Sequence, residues 1–347
     1  MRVLVTGAAG RVGANVVQRL GSSGIDVTAM VMPGDPQAAK LASLPRVRIV
    51  EADLGDQAAV DRACAGATHV AHLAAQLVRG DTPVDRFYDT NAFGTLRLLE
   101  GMLRHGAGLE RFVLVSTDGT YRPGDPPAVP LLEDVPQQPA DYYGTSKLLS
   151  EVILRNHADQ YDIPYSIVRF ATVVSPEEAS RLFRVSSWRE LFSRVGLGKD
   201  TNIWQLFRGR PNLGELLEAA VGEASEDAAV ALVGPDGTPW SIHLLDVRDA
   251  VQGVYRALTE PAGASGRAFN IAAAEPTSAE EGASVIADVF GVSKLAVEMP
   301  MTFRLELSID AAREALDFAP AYDYRGMVEA ARNATLSTDE AFIPARI

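Results

Sequence analysis

The chain is expected to fold as an α/β protein: a doubly wound parallel sheet with helices on both faces, joined to a smaller, mostly helical C-terminal domain. Three observations predict this. Over the first 170 residues short β-branched runs alternate with longer helical patterns, the runs are apolar throughout as strands buried on both faces should be, and the alternation stops after Pro176.

The elements follow in order. Val3 to Thr6 reads as the first strand, and Val27 to Val31, Val47 to Val50, His69 to Leu73, Phe112 to Ser116 and Ser166 to Arg169 as the next five. Helical patterns lie between them at about 11–22, 56–64, 85–105 and 142–158, so six strands carry five connections. Beyond Pro176 come bulky aromatics (Phe183, Trp188, Phe192, Trp204, Phe207) among seven basic residues from Arg181 to Arg210, suited either to a packed layer or to a pocket wall. From Ile242 a strand, the helix Asp246 to Leu258 and the strand Ala268 to Ile271 resume the earlier style. Helices near 277–290, 308–316 and 324–335 complete the chain, and its last dozen residues read as a loose tail.

Length and charge bound the function. At 347 residues the chain holds about two domains. Its net charge of −13 would repel a phosphate backbone, so nucleic acid is not expected as a partner. Cys64, the single cysteine, cannot form an intrachain disulfide. With no apolar run near the ~18 residues of a membrane span and no leader-like start, no membrane association and a cytoplasmic location are the expectations.

Strand one runs into Gly7-Ala8-Ala9-Gly10-Arg11-Val12-Gly13, a G-x-x-G-x-x-G loop that opens a helix. Its glycines allow a tight turn and close approach of a pyrophosphate to backbone N–H groups at the helix N-terminus. A glycine turn can also merely join strand to helix, but one at the start of a βαβ unit sits where a Rossmann-type domain places its dinucleotide. Strand two ends in Val31-Met32, which offers neither a carboxylate for a ribose 2′-hydroxyl nor an arginine for a 2′-phosphate. With no basic group there to neutralise a phosphate, NAD is the expected cofactor, and Arg11 and Lys40 are the residues that would reverse the preference to NADP.

Tyr143-Gly144-Thr145-Ser146-Lys147 places a phenol and an ammonium on one helical face. Nine tyrosines and four lysines make such a pair a roughly 0.1-fold expectation by chance. A nearby lysine should favour the phenolate and lower its pKa, making Tyr143 a proton donor and acceptor for a substrate hydroxyl. Ser116 and Thr117 stand at the end of strand five, where strand C-termini face the crevice and a hydroxyl can hydrogen-bond the reacting oxygen. The same Ser/Thr/Asp cluster also suits a plain turn. His69 and His72 lack carboxylate or cysteine partners in sequence, so no metal site is expected.

Together these residues resemble the extended short-chain dehydrogenase/reductase, or NAD-dependent epimerase/dehydratase, family, over nearly the whole chain. The resemblance implies that Gly7, Gly10, Arg11, Val12 and Gly13 bind the pyrophosphate. It also implies that Asp53 and Leu54 contact adenine, and that Leu73, Ala74 and Ala75 line the cofactor after strand four. Asn91 matches a helix-four motif, and Ser116, Thr117, Tyr143 and Lys147 match the catalytic set, Thr117 being favoured over Ser116 by its spacing of four before Tyr121. Lys147 is implied also to hold the nicotinamide ribose. His243-Leu244-Leu245-Asp246 and Phe269-Asn270-Ile271 resemble the segments that return to the Rossmann domain, so the expected domains are 1–170 with about 241–271, and about 171–240 with 272–340. A homodimer through the helices at 85–105 and 142–158 is implied as well.

Departures bear on the substrate. Nucleotide-sugar members carry Asn at the place of Thr172 and Arg shortly before His243, where this chain has Thr238-Pro239-Trp240-Ser241. Sugar 4,6-dehydratases carry Glu at the place of Gly119. The expected function is therefore NAD(P)-dependent hydride transfer between nicotinamide and a secondary alcohol or ketone of a small non-nucleotide substrate, such as a sugar, a sugar acid or a hydrophobic ketone held by Trp188, Trp204 or Trp240. The alternatives are a (nucleotide-)sugar epimerase acting through a transient ketone, and a catalytically silent NAD(P)-binding sensor.

Overall fold

The computed structural model describes residues 1–77, 82–124, 128–195, 211–260, 264–334 and 342–344. Its centre is a parallel seven-stranded sheet. The strands β1 (Arg2–Thr6), β2 (Asp26–Val31), β3 (Val47–Glu51), β4 (His69–His72), β5 (Arg111–Thr117) and β6 (Tyr165–Phe170) are those read from the sequence, and Arg267–Ile271 adds the seventh beside β6. From one edge the order is β3, β2, β1, β4, β5, β6, Arg267–Ile271. The order reverses between β1 and β4, whose registers bring Thr6 opposite His72. A crevice opens beyond the strand ends at such a reversal.

Helix α1 (Arg11–Ser22) and the helix Val247–Thr259 cover one face of the sheet through Val16, Val17, Leu20, Val254 and Ala257, all fully buried. Helices α2 (Gln57–Cys64), α3 (Gly94–His105) and α4 (Tyr142–Tyr161) cover the other through Val60, Leu98, Leu99 and Leu154. The helix expected at 85–105 is interrupted: a short turn Val84–Phe87 leads into π-helical Tyr88–Phe93 before α3 begins. This irregularity carries Thr90 to the cleft while Asn91 stays buried.

A second core gathers Phe183, Phe192, Leu217, Val230, Leu232, Trp240, Ile286 and Met327. It is less helical than the sequence suggests, because Ala229–Val233 pairs in parallel with Lys294–Glu298. Short apolar runs such as these two cannot be told from buried helix segments by periodicity alone, so the sequence does not mark them as strands. The chain end is partly held: Ile343 exchanges two hydrogen bonds with Asn15 of α1, at 2.8 and 3.0 Å.

Candidate active site

The cleft at the sheet reversal has a volume of about 920 Å³ and runs from the glycine loop to Tyr143. Gly7, Gly10, Arg11, Val12, Gly13, Asp53, Leu54, Leu73, Ala74, Ala75, Ser116, Thr117, Tyr143 and Lys147 all line it. Gly7 has φ +64°, and a Cβ there would stand 2.7 Å from the Ala74 nitrogen. At Gly13 a Cβ would overlap the Gly7 carbonyl oxygen, so the loop can close on β1 only with glycine at both places. The N-terminus of α1 has no side-chain cap and no acidic residue in its first turn, which leaves its N–H groups directed at the cleft for an anion. These features fit a pyrophosphate.

At the adenosine end Met30, Val31 and Met32 are joined by Asp35, a carboxylate the sequence reading did not use. Its Oδ1 caps a 3₁₀ turn by accepting from the Gln37 N–H at 2.9 Å. A negative charge here suits ribose hydroxyls and disfavours a 2′-phosphate. Arg11 does not counter it, because its guanidinium donates to the Val173 carbonyl at 2.7 Å and pairs with Glu178 at 2.7 Å. Only folding could show that Asp35, four residues past the end of β2, turns back into the cleft.

Asn91 stands one layer behind the wall. Its Oδ1 accepts from the Gln76 N–H at 2.7 Å, and its Nδ2 donates to the Gln76 carbonyl at 3.2 Å and to Ser146 Oγ at 2.8 Å. It therefore ties the loop after β4, including the cleft residue Gln76, to α4. His72 is equally structural: its ring meets Thr6 Oγ1 at 2.7 Å and Thr95 Oγ1 at 3.1 Å, and burial followed by the charge of Lys147 lowers its pKa to about 3.

Tyr143 and Lys147 share a face of α4, whose N-cap Asp141 accepts from the Gly144 N–H at 2.7 Å. Lys147 is 1% exposed, and burial lowers its pKa to about 8 against the opposing pull of Glu151. The phenol departs from expectation. Burial, then the carboxylates of Asp118 and Asp141, raise the Tyr143 pKa above that of free tyrosine, and the protein alone keeps it protonated. The i to i+4 spacing identified the neighbouring lysine, but it could not show that folding adds two carboxylates.

The two hydroxyls at the end of β5 diverge. Ser116 Oγ donates to Glu151 Oε1 at 2.6 Å within a buried network, where Arg169 grips both Glu151 oxygens at 3.0 and 2.8 Å. Thr117 Oγ1 donates to Asp118 Oδ1 at 3.1 Å and accepts from the Gly119 N–H at 3.1 Å, in the same cleft wall as Tyr143. Phe170, which pairs with Thr117 in the sheet, and Ala171, Thr172 and Val173 line the same cleft.

The described aromatics after Pro176 are core rather than pocket. Phe183, Phe192 and Trp240 are each 4% exposed, and the Trp188 and Trp240 indoles donate to the Val230 and Met301 carbonyls at 3.1 and 2.7 Å. The expectation of a hydrophobic ketone held by Trp188 or Trp240 is thus overturned, because both rings are used in packing; Trp204 and Phe207 lie outside the described residues. Of the basic residues, Arg184 binds the Ser180 and Asp227 carbonyls and Arg189 pairs with Glu218 and Glu226.

Comparison with known proteins agrees with this geometry. A UDP-glucose 4-epimerase of Azospirillum brasilense is 34% identical over 186 residues, which are 52% of this chain and 51% of that protein. The chain therefore spans about half the length of that relative. A short-chain dehydrogenase/reductase superfamily protein of Agrobacterium tumefaciens, solved with bound NAD, superposes with a TM-score of 0.78 at 28% identity, covering 97% of this chain and 98% of that one. The UDP-glucose 4-epimerase of Thermotoga maritima, solved with UDP-glucose, shares the fold at a TM-score of 0.70 and 22% identity, with 97% of this chain and 100% of that one covered. Residues 3–272, which hold the reversed sheet, the glycine loop and the tyrosine helix, match the family model as well, and the chain belongs to the NAD dependent epimerase/dehydratase family.

Proposed function

We propose that the protein is an NAD-dependent sugar epimerase that oxidises a secondary carbinol of a UDP-sugar to a transient ketone and returns the hydride to the other face. The observation that carries this reading is the convergence of Thr117, Tyr143 and Lys147 with the glycine loop on one cleft, in a chain whose relatives include UDP-sugar 4-epimerases. NAD supplies the hydride acceptor. Gly7, Gly10, Arg11, Val12 and Gly13 would hold its pyrophosphate, Asp35 the adenosine ribose, Asp53 and Leu54 the adenine, Leu73, Ala74 and Ala75 the wall beside it, and Lys147 the nicotinamide ribose. Tyr143 takes the carbinol proton and gives it back, while Thr117 hydrogen-bonds the same oxygen. A phenol that the protein alone holds protonated needs added positive charge to act as base, and NAD held by the glycine loop and Lys147 would supply it through its cationic nicotinamide. The unit built on the second core would select the sugar, although Leu305 to Phe318, expected in that unit, pack instead into the core of the central sheet. Two copies of the chain would assemble as a homodimer through α3 and α4.

A second reading, net oxidation of a sugar without a nucleotide, is favoured by Thr172 on the cleft wall and by the burial of Trp240. Neither position offers the amide or guanidinium that a diphosphate calls for, and two unpaired phosphate charges would cost several kcal/mol. The NAD-loaded protein should be offered UDP-glucose, UDP-galactose, free sugars and sugar acids. Interconversion of a UDP-sugar without accumulation of NADH supports epimerisation. Net NADH from a sugar or sugar acid, with no binding of any UDP-sugar at micromolar concentration, replaces it with the second reading.

A further inference from the structure

Asp118 is 7% exposed and lines the cleft, yet its Oδ2 has no hydrogen-bond partner among the described residues. A buried carboxylate oxygen left unpaired is costly, so the residue requires an explanation that the turn alone does not supply. Its other oxygen takes the Thr117 hydroxyl hydrogen, while Thr117 Oγ1 accepts from the Gly119 N–H. A hydroxyl has one hydrogen and two lone pairs. With the hydrogen and one lone pair spent, Thr117 as it stands has a single lone pair for a substrate, and that suits an alcohol O–H rather than a ketone oxygen.

We propose that Asp118 is a positioning residue whose Oδ1 accepts the Thr117 hydrogen when the carboxyl is ionised and, when that oxygen carries a proton, donates it to Thr117 Oγ1 instead, so that one proton decides whether Thr117 offers the substrate a lone pair or an O–H. This deepens the reading of Thr117 and Tyr143 given above and rests on it. The proton is exchanged with solvent and no bond to the substrate is made. The titratable groups facing Asp118 are Asp141 and Tyr143, both from the start of α4. Burial, resisted by the Thr117 and Gly119 hydrogen bonds and aided by Asp141, brings the Asp118 carboxyl up to about 7, so both states are populated near neutrality. The ionised state also places a negative charge beside Tyr143 and strengthens its hold on the phenolic proton. One group thus couples the two hydroxyls that meet the reacting oxygen.

The test needs no substrate, so its failure is separable from failure of the sugar assays. Infrared difference spectra of the NAD-loaded protein between pH 5 and 9 should show a carboxylic-acid C=O band that titrates near pH 7 and is missing in Asp118→Asn. In Thr117→Val, which removes a hydrogen bond favouring the carboxylate, the midpoint of that band should rise by about one pH unit. The Tyr143 share of tyrosinate absorbance, taken as the difference from Tyr143→Phe, should appear at lower pH in Asp118→Asn by a similar amount. Bound NAD in each variant reports that the cleft is folded. An identical band in Asp118→Asn, a carboxyl already ionised at pH 5, or an unmoved Tyr143 titration would each overturn the proposal.

Discussion

Replacing Glu151 by Gln should destabilise the protein more than any exposed ion-pair change. Glu151 is 0% exposed and its carboxylate accepts from Ser116 Oγ, Gln137, Arg155 and the Nε and Nη2 of the 1%-exposed Arg169. Arg169 continues the network to Tyr121 OH and the Glu133 carbonyl at 2.7 and 2.8 Å. Gln keeps the shape but strands a buried guanidinium without its counter-charge, a loss of about 3–5 kcal/mol. Urea unfolding at pH 7, followed by fluorescence and circular dichroism, measures it. A companion Arg169→Met/Glu151→Leu protein should lose less than the two single losses added, because no lone charge is left inside. The pH dependence carries a sign. Burial would raise the Glu151 pKa, but the Arg169 hydrogen bonds and charge, the Ser116 hydrogen bond and Arg155 hold it below the ordinary carboxylate value. Its contribution is therefore complete above the unfolded pKa of about 4.3 and disappears as pH falls through the depressed folded value. The gap between wild type and Glu151→Gln should stay constant from pH 7 to 5 and close in stronger acid. A loss under about 1 kcal/mol at pH 7, or a gap that widens on acidification, would show that the network does not hold β5, β6 and α4 together as described.

Tyr143→Phe should abolish hydride transfer, measured as kcat on whichever sugar the wild type turns over, while calorimetry shows NAD bound nearly as before. Gly13→Ala should eliminate NAD binding, because the new methyl meets the Gly7 carbonyl; NAD affinity within threefold of wild type would contradict the loop geometry. Wild-type protein should bind NAD at least about tenfold, or 1.4 kcal/mol, more tightly than NADP, with Asp35→Ala combined with Met32→Arg narrowing the gap. Leu149 and Val152 are 39% and 50% exposed on α4, so Leu149→Glu/Val152→Glu should convert a dimer to a monomer in sedimentation at micromolar concentration. A monomeric wild type would remove that assembly.

Much of the sheet was legible in the sequence because strands buried on both faces leave an apolar, β-branched record in each short run. The glycine loop was equally plain, since backbone crowding at Gly7 and Gly13 admits no side chain, and the Tyr143–Lys147 pair was visible because helical spacing is local. Distance in the chain hid the rest. Asp35 reaches the cleft through a turn after β2, the strand Ala229–Val233 finds its partner more than sixty residues later, and the aromatics at 183–192 reveal themselves as core only once Trp240 lies against them. The tertiary structure also decided the protonation of the site. Spacing places a lysine four residues from Tyr143, but burial and the carboxylates of Asp118 and Asp141 set the energy of its proton, and those depend on which groups folding excludes from water together.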